Sequence, residues 1–281
     1  MPQVARTCVV LPLVLVLAGA AREAQGQATA PVLLQLRPNA GDTLRLRLDQ
    51  TIEMSRTTRP AAEENAAADV ASLVLLARIA VESADGEGSA VTALTDSVRI
   101  TSSAGFASSG VLRGAQAMQG TSLRFRVGTD GATHMSAPKG FADPGVGALF
   151  SQLPATLPAE ALAPGASWTR VVEIPLPATP DGRATATLNA TFVFDSLSRS
   201  GEFAHLSVRG RLMRAGALPG GAGGHVQTSG DVSGKILLDR RRGWISDART
   251  VVTLRSLVST RDNKSPPVRV RVKITQWMRV L

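Results

Sequence analysis

From Val32 to the last residue the chain alternates apolar and polar side chains with a period of two, and this rhythm constrains the fold more than any other feature. In Thr43-Leu44-Arg45-Leu46-Arg47-Leu48-Asp49 the leucines fall on one side of an extended chain and the charges on the other. Leu123-Arg124-Phe125-Arg126-Val127 and Val268-Arg269-Val270-Arg271-Val272-Lys273-Ile274 repeat the pattern. Strands with one buried and one wet face belong to antiparallel sheets. Glycine and Asx turns punctuate them at Asn39-Ala40-Gly41-Asp42, Asp85-Gly86-Glu87-Gly88, Thr129-Asp130-Gly131, Pro180-Asp181-Gly182, Ser200-Gly201 and Arg242-Gly243. The alternation predicts an all-β chain with strands near 32–37, 43–56, 71–83, 89–102, 122–128, 166–175, 184–197, 202–215, 226–239, 243–259 and 267–280.

Two stretches break the rhythm. Asp143 to Leu153, with Pro144 at a first helical position and Val146, Leu149, Phe150 and Leu153 at helical spacing, reads as a short linking helix. Arg59 to Asp69 is polar and alanine-rich and reads as a hairpin loop. The remainder shows self-similarity. Gly41-Asp42-Thr43-Leu44 and Gly165-Ala166-Ser167-Trp168 each open a long strand, and Ala77 to Ser83 corresponds to Ala190 to Ser196. Gly120 follows Ser83 by 37 residues and Gly234 follows Ser196 by 38. The expected architecture is two related antiparallel meander halves, packed as a sandwich or a half-open barrel. Residues 27–140 form the first half, 141–163 the helix and proline-rich link, and 164–281 the second half.

The leader is a separate signal. Arg6 precedes an apolar run from Cys8 to Ala18 that is too short to span the roughly 30 Å of a bilayer core, which reads as a signal peptide over 1–26. Cleavage after Gly26 fits small residues at the preceding positions, and Ala21 and Ala30 are alternatives. The expected destination is periplasmic or extracellular. Cys8 is the only cysteine, so a cut at any of these points leaves no disulfide, thiol nucleophile or thiolate ligand in the mature chain.

The strand opening Gly41-Asp42-Thr43-Leu44-Arg45-Leu46-Arg47-Leu48, the turn Ala80-Val81-Glu82-Ser83-Ala84-Asp85-Gly86, the segment Phe125-Arg126-Val127-Gly128-Thr129-Asp130-Gly131 and the later Leu162-Ala163-Pro164-Gly165-Ala166-Ser167-Trp168 carry a resemblance. Together they look like a domain-of-unknown-function family of secreted bacterial all-β proteins. The resemblance spans nearly the whole mature chain and implies an extracytoplasmic antiparallel fold without assigned catalytic residues. At fold level alone the chain is also similar to the curved sheets of lipoprotein carriers of the LolA and LolB kind.

Signatures of chemistry are sparse. No Gly-x-Ser-x-Gly elbow occurs, and His134, His205 and His225 lack the spacing of a zinc site. Gly220 to Gly224 lacks the lysine of a phosphate-binding loop, so no cofactor is expected. Trp168, Trp244 and Trp277 read as core or barrel-end residues, and the 4% aromatic content with no tyrosine speaks against an outer-membrane barrel with its aromatic girdles. The formal charge of +9 collects toward the end of the chain. There Arg240, Arg241, Arg242, Arg269, Arg271 and Lys273 form a candidate patch for an anionic partner. Nucleic acid is disfavoured, because the leader directs the chain out of the cytoplasm and exposed aromatic platforms are scarce.

These observations lead to one expectation and two rivals. The first is a non-enzymatic exported β-protein that binds a lipid or other hydrophobic ligand in a cleft between sheets. The second is an envelope interaction or structural module acting through sheet edges or the basic C-terminal strands, with lipid or an anionic envelope polymer as partner. The third is a hydrolase whose acids meet only in the fold.

Overall fold

The computed structural model describes residues 30–58, 66–103, 118–135, 157–175, 185–217, 225–259 and 266–281. Residues Pro31–Leu281 form one compact unit, and it is all-β. Its strands are β1 (Thr43–Thr57), β2 (Ala68–Ala84), β3 (Gly88–Ser102), β4 (Ser122–Gly128), β5 (Thr133–Met135), β6 (Ser167–Pro175), β7 (Thr185–Leu197), β8 (Phe203–Ala217), β9 (His225–Asp239), β10 (Trp244–Ser259) and β11 (Val268–Val280). All lie in one antiparallel sheet, ordered β5-β4-β3-β2-β1-β11-β10-β9-β8-β7-β6. The predicted strand at 32–37 is an extended segment with a single bridge, Val32 to Leu162. The predicted helix at 143–153 lies outside the described residues.

Among the described strands, consecutive ones pair within β1–β5 and within β6–β11, β5 and β6 are the two edges, and the first strand meets the last at a seam. There Leu46 lies opposite Val280 and Thr57 opposite Arg269, so β1 and β11 join the two meanders into one sheet. The sheet is rolled but not closed. Leu157 donates its N–H to the Asp130 carbonyl beside β4, at 2.5 Å, and accepts from the Arg170 guanidinium on β6, at 3.2 Å. On a flat sheet the nine strand steps between β4 and β6 would span roughly 43 Å, so one residue could not reach both. Of the two expected arrangements the fold is therefore the half-open barrel, made of one sheet where a sandwich needs two.

Burial runs unevenly along the strands. The tight connections β2–β3, β4–β5, β7–β8 and β9–β10 all lie at one end, hereafter the turn end. Near it the inward residues Leu46, Ile79, Phe125, Phe194, Leu206 and Leu238 are fully buried. Each such side chain stabilises the fold by about 1.5–3 kcal/mol. The segment 31–37 crosses this end as a plug. Leu34 and Leu36 are buried, the Leu36 N–H donates to Thr129, and the Arg37 N–H donates to Gly243.

One local arrangement occurs twice. Gly41, at φ 89°, donates to the Val81 carbonyl, and Val81 donates back to Asp42 at 2.9 Å. Gly165, at φ 90°, donates to Phe194, and Phe194 donates back to Ala166 at 2.9 Å. Both receiving strands bulge there, between Val81 and Ser83 and between Phe194 and Ser196. A left-handed glycine lets the incoming chain turn and clasp the bulged strand in each half.

In three places on the inner face a side chain is missing. Gly210, Gly230 and Gly234 share the inner face of β8 and β9 with Leu206 and Leu212. A Cβ on Gly234 would lie 2.6 Å from the Arg249 carbonyl and 2.9 Å from Thr250 Cγ2, and one on Gly210 would meet Leu188 at 2.8 Å. Glycine in a strand interior permits such close backbone approach and bending. Gly234→Val is expected to lower stability by about 1–3 kcal/mol. Gly86→Ala, with nothing within 4 Å, should shift it by less than about 0.5 kcal/mol. Urea unfolding of the two variants measures the contrast.

Candidate functional site

The inner face changes character beyond the row that contains Gln50. Up to that row Leu44, Leu46 and Leu48 are buried, whereas Ile52 and Met54 are only half-buried. Register places Ile274 and Val252 beside Ile52, and Val272 and Leu254 beside Met54. All four are half-buried as well. The result is an apolar wall continuous with the core but not fully covered.

The next inner row is polar. Across neighbouring strands it reads Arg214, Thr228, Ser256, Val270 and Arg56. The Thr228 and Ser256 hydroxyls are 2.8 Å apart, and Thr228 is buried. Arg214 is half-buried, and Arg56 is exposed with its guanidinium against the Met54 sulfur at 3.6 Å. Among the described residues neither arginine forms an ion pair. An arginine half-removed from water without a counterion is a position that an anion would relieve.

The candidate anionic-partner residues from the sequence fall into two separate places. Arg240, Arg241 and Arg242 occupy the β9–β10 connection at the turn end. They are held there: Arg240 Nη1 donates to the Gly201 carbonyl, Arg241 lies 3.4 Å from Glu202, and Arg242 lies 3.8 Å from Asp239. Asp239 also accepts the backbone N–H groups of Arg241 and Arg242 at 3.0 and 2.9 Å. Arg269, Arg271 and Lys273 lie on the outer face of β11, toward the other end of the strands. About 13 residues of β10 separate the two groups, on the order of 43 Å. Lys273 is paired with Glu53 at 3.1 Å.

The structure brings other residues to the outer group. Arg255 faces Arg271 directly across the β10–β11 ladder, and Arg209 and Arg211 sit on the same face two strands away. Like charges in direct register are mutually unfavourable, so this pair also suits an anion. Arg209 and Arg211 are distant in sequence from the C-terminal basic run. The alternation Val208-Arg209-Gly210-Arg211-Leu212 was the signal that sends them outward. Apart from Lys273 to Glu53, the described ion pairs lie on the turn-end side of the sheet, including Arg47 with Asp49, Arg78 with Asp96 and Arg126 with Asp85.

The three tryptophans part company. Trp168 stacks on Phe192 with ring centres 5.5 Å apart, and Trp244 is buried. Trp277 is not a core or barrel-end residue. It lies on the outer face, between the guanidinium groups of Arg249 at 4.2 Å and Arg279 at 4.0 Å, and its indole N–H donates to Asp247 at 2.7 Å. Its partners in register, Asp49 and Arg249, are outward residues, so parity along β11 fixes its side.

A cleft of about 530 Å³ opens at the turn end beside β4 and β5, lined by Gln35, Glu87, Arg126, Asp130, His134 and Pro158. The sequence offered no signal for it, because its residues come from four separate turns and strands. Among the described residues no three His, Cys, Asp or Glu side chains group as metal ligands. No protein-family model matches the chain, and no curated protein matches it.

Electrostatics next to the cleft are pronounced. Asp85 accepts from Arg126 Nη2 at 2.6 and 2.7 Å and from the backbone N–H groups of Glu87 and Gly88, both at 2.9 Å. These donors, the arginine first, hold its carboxyl down from 3.8 to about 2. Glu82 is lowered too, first by the Thr92 hydroxyl at 2.5 Å and then by Arg124. A carboxylate whose folded pKa is depressed stabilises the fold above its unfolded pKa and loses that contribution as pH falls through the folded value. Stability should therefore decline between about pH 4 and pH 2. In Asp85→Asn the decline over that window should be shallower, as read from urea midpoints across it.

Proposed function

We propose that this chain is a non-enzymatic, exported β-protein of the periplasm or extracellular space that holds a lipid or other hydrophobic ligand against the inner face of its half-open barrel. One observation carries the reading. The inner apolar rows of Ile52, Met54, Val252, Leu254, Val272 and Ile274 continue the core pattern but are left half-buried. Apolar surface in that position gains free energy when an apolar ligand removes it from water, at roughly 25 cal/mol per Å². The Cys8 to Ala18 leader supports export. The twin clasps at Gly41 and Gly165, each on a bulged strand, support descent of the two halves from one repeated unit.

Native mass spectrometry with lipid extraction, on protein purified from its own cell envelope, tests this reading. The mature protein should carry an apolar molecule, and Val252→Glu should release it while far-UV circular dichroism stays unchanged. Recovery of wild type without any such molecule would count against the reading.

The like-charged pair Arg255 and Arg271, in direct register on the outer face, favours a second reading, an envelope interaction module whose basic C-terminal strands meet an anionic polymer. Arg255→Ala with Arg271→Ala should then reduce retention on a polyanion column several-fold. Substituting Arg240, Arg241 and Arg242, already held by neighbouring turns, should change it little. Equal retention of both variants would refute the second reading.

A further inference from the structure

We infer that the preferred ligand is an anionic amphiphile, a single acyl chain with a carboxylate or phosphate head, whose head is bound at the inner row of Arg214, Thr228, Ser256 and Arg56. The inference rests on the apolar-ligand reading above and narrows it to a chemical class. Three features of the row point the same way.

First, the row follows directly on the apolar wall. Arg214 comes two residues after buried Leu212 on β8, Ser256 two after Leu254 on β10, and Arg56 two after Met54 on β1. A chain lying along Ile52, Met54, Val252 and Leu254 thus ends at these polar groups. Second, the groups are donors. A guanidinium offers five N–H donors and no acceptor, and each hydroxyl can donate one hydrogen. The Thr228–Ser256 pair uses one of its two hydroxyl hydrogens internally, which leaves the other for a ligand oxygen.

Third, among the described residues the charge is uncompensated. There the inner face near the row carries one carboxylate, Asp69, opposite Met54. Asp69 accepts from the Ser103 hydroxyl at 3.1 Å, and no ion pair joins it to either arginine. A half-buried guanidinium without a counterion gains more from an anion than from a neutral polar head, because charge-assisted hydrogen bonds are about twice as strong as neutral ones.

Titration calorimetry with oleate, oleyl alcohol and acetate on the mature protein tests the assignment. Oleate should bind at least tenfold more tightly than oleyl alcohol, and acetate should neither bind nor compete. Arg214→Met should remove most of the oleate preference and leave oleyl alcohol unchanged. Arg214→Lys should restore part of it, and Ser256→Ala should weaken oleate by a few-fold. Lysophosphatidic acid in place of oleate tells a phosphate head from a carboxylate, since the tighter binder identifies the source. Equal binding of oleate and oleyl alcohol, or an unchanged oleate preference in Arg214→Met, overturns the head site while the apolar-ligand reading stands. Binding of acetate as tight as that of oleate overturns the amphiphile. Failure of both oleate and oleyl alcohol to bind removes the apolar-ligand reading and this inference together.

Discussion

A single sheet with one apolar face has no second layer to pack against, and the rest of this structure follows from how it meets that constraint. The sheet rolls on itself, and at the turn end Leu34, Leu36 and Leu157 are buried in its core. There the inward side chains meet across the barrel and a core forms. Farther along the strands the same pattern of inward Ile, Val and Leu continues with less to cover it. The packed end and the half-buried end are two outcomes of one alternation.

The strands were legible in the sequence because alternation is a local property. Leu44, Leu46 and Leu48 announce their shared face without reference to any other strand. The pairing of β1 with β11 was not legible, since nothing local tells a strand whether a residue 234 positions away, as Val280 is from Leu46, will lie opposite it. Equally hidden was that Gly210, Gly230 and Gly234 share one face of two adjacent strands.

The basic residues show the same division between local and distant information. Counting along the chain grouped Arg240, Arg241 and Arg242 with Arg269, Arg271 and Lys273. Register separates them by most of a strand length and recruits Arg209, Arg211 and Arg255. The candidate head-group row was partly readable from parity: in Leu206, Val208, Gly210, Leu212, Arg214 an arginine falls on the apolar face. Its partners Thr228 and Ser256 become visible only when β8, β9 and β10 stand side by side.

The seam between the first strand and the last also sets the order in which the sheet can be finished. A ribosome delivers β1 long before β11, so the β1 edge that will hold Val268 to Val280 stays unpaired until the end of the chain arrives. The two meanders can form from near neighbours, but joining them closes a loop of more than two hundred residues, and such distant pairings form slowly. In vectorial synthesis or passage across a membrane, the waiting edge is the place where a stray strand from another chain would add. A chaperone that shields Leu46 to Thr57 until release would protect the step on which assembly of the whole sheet turns.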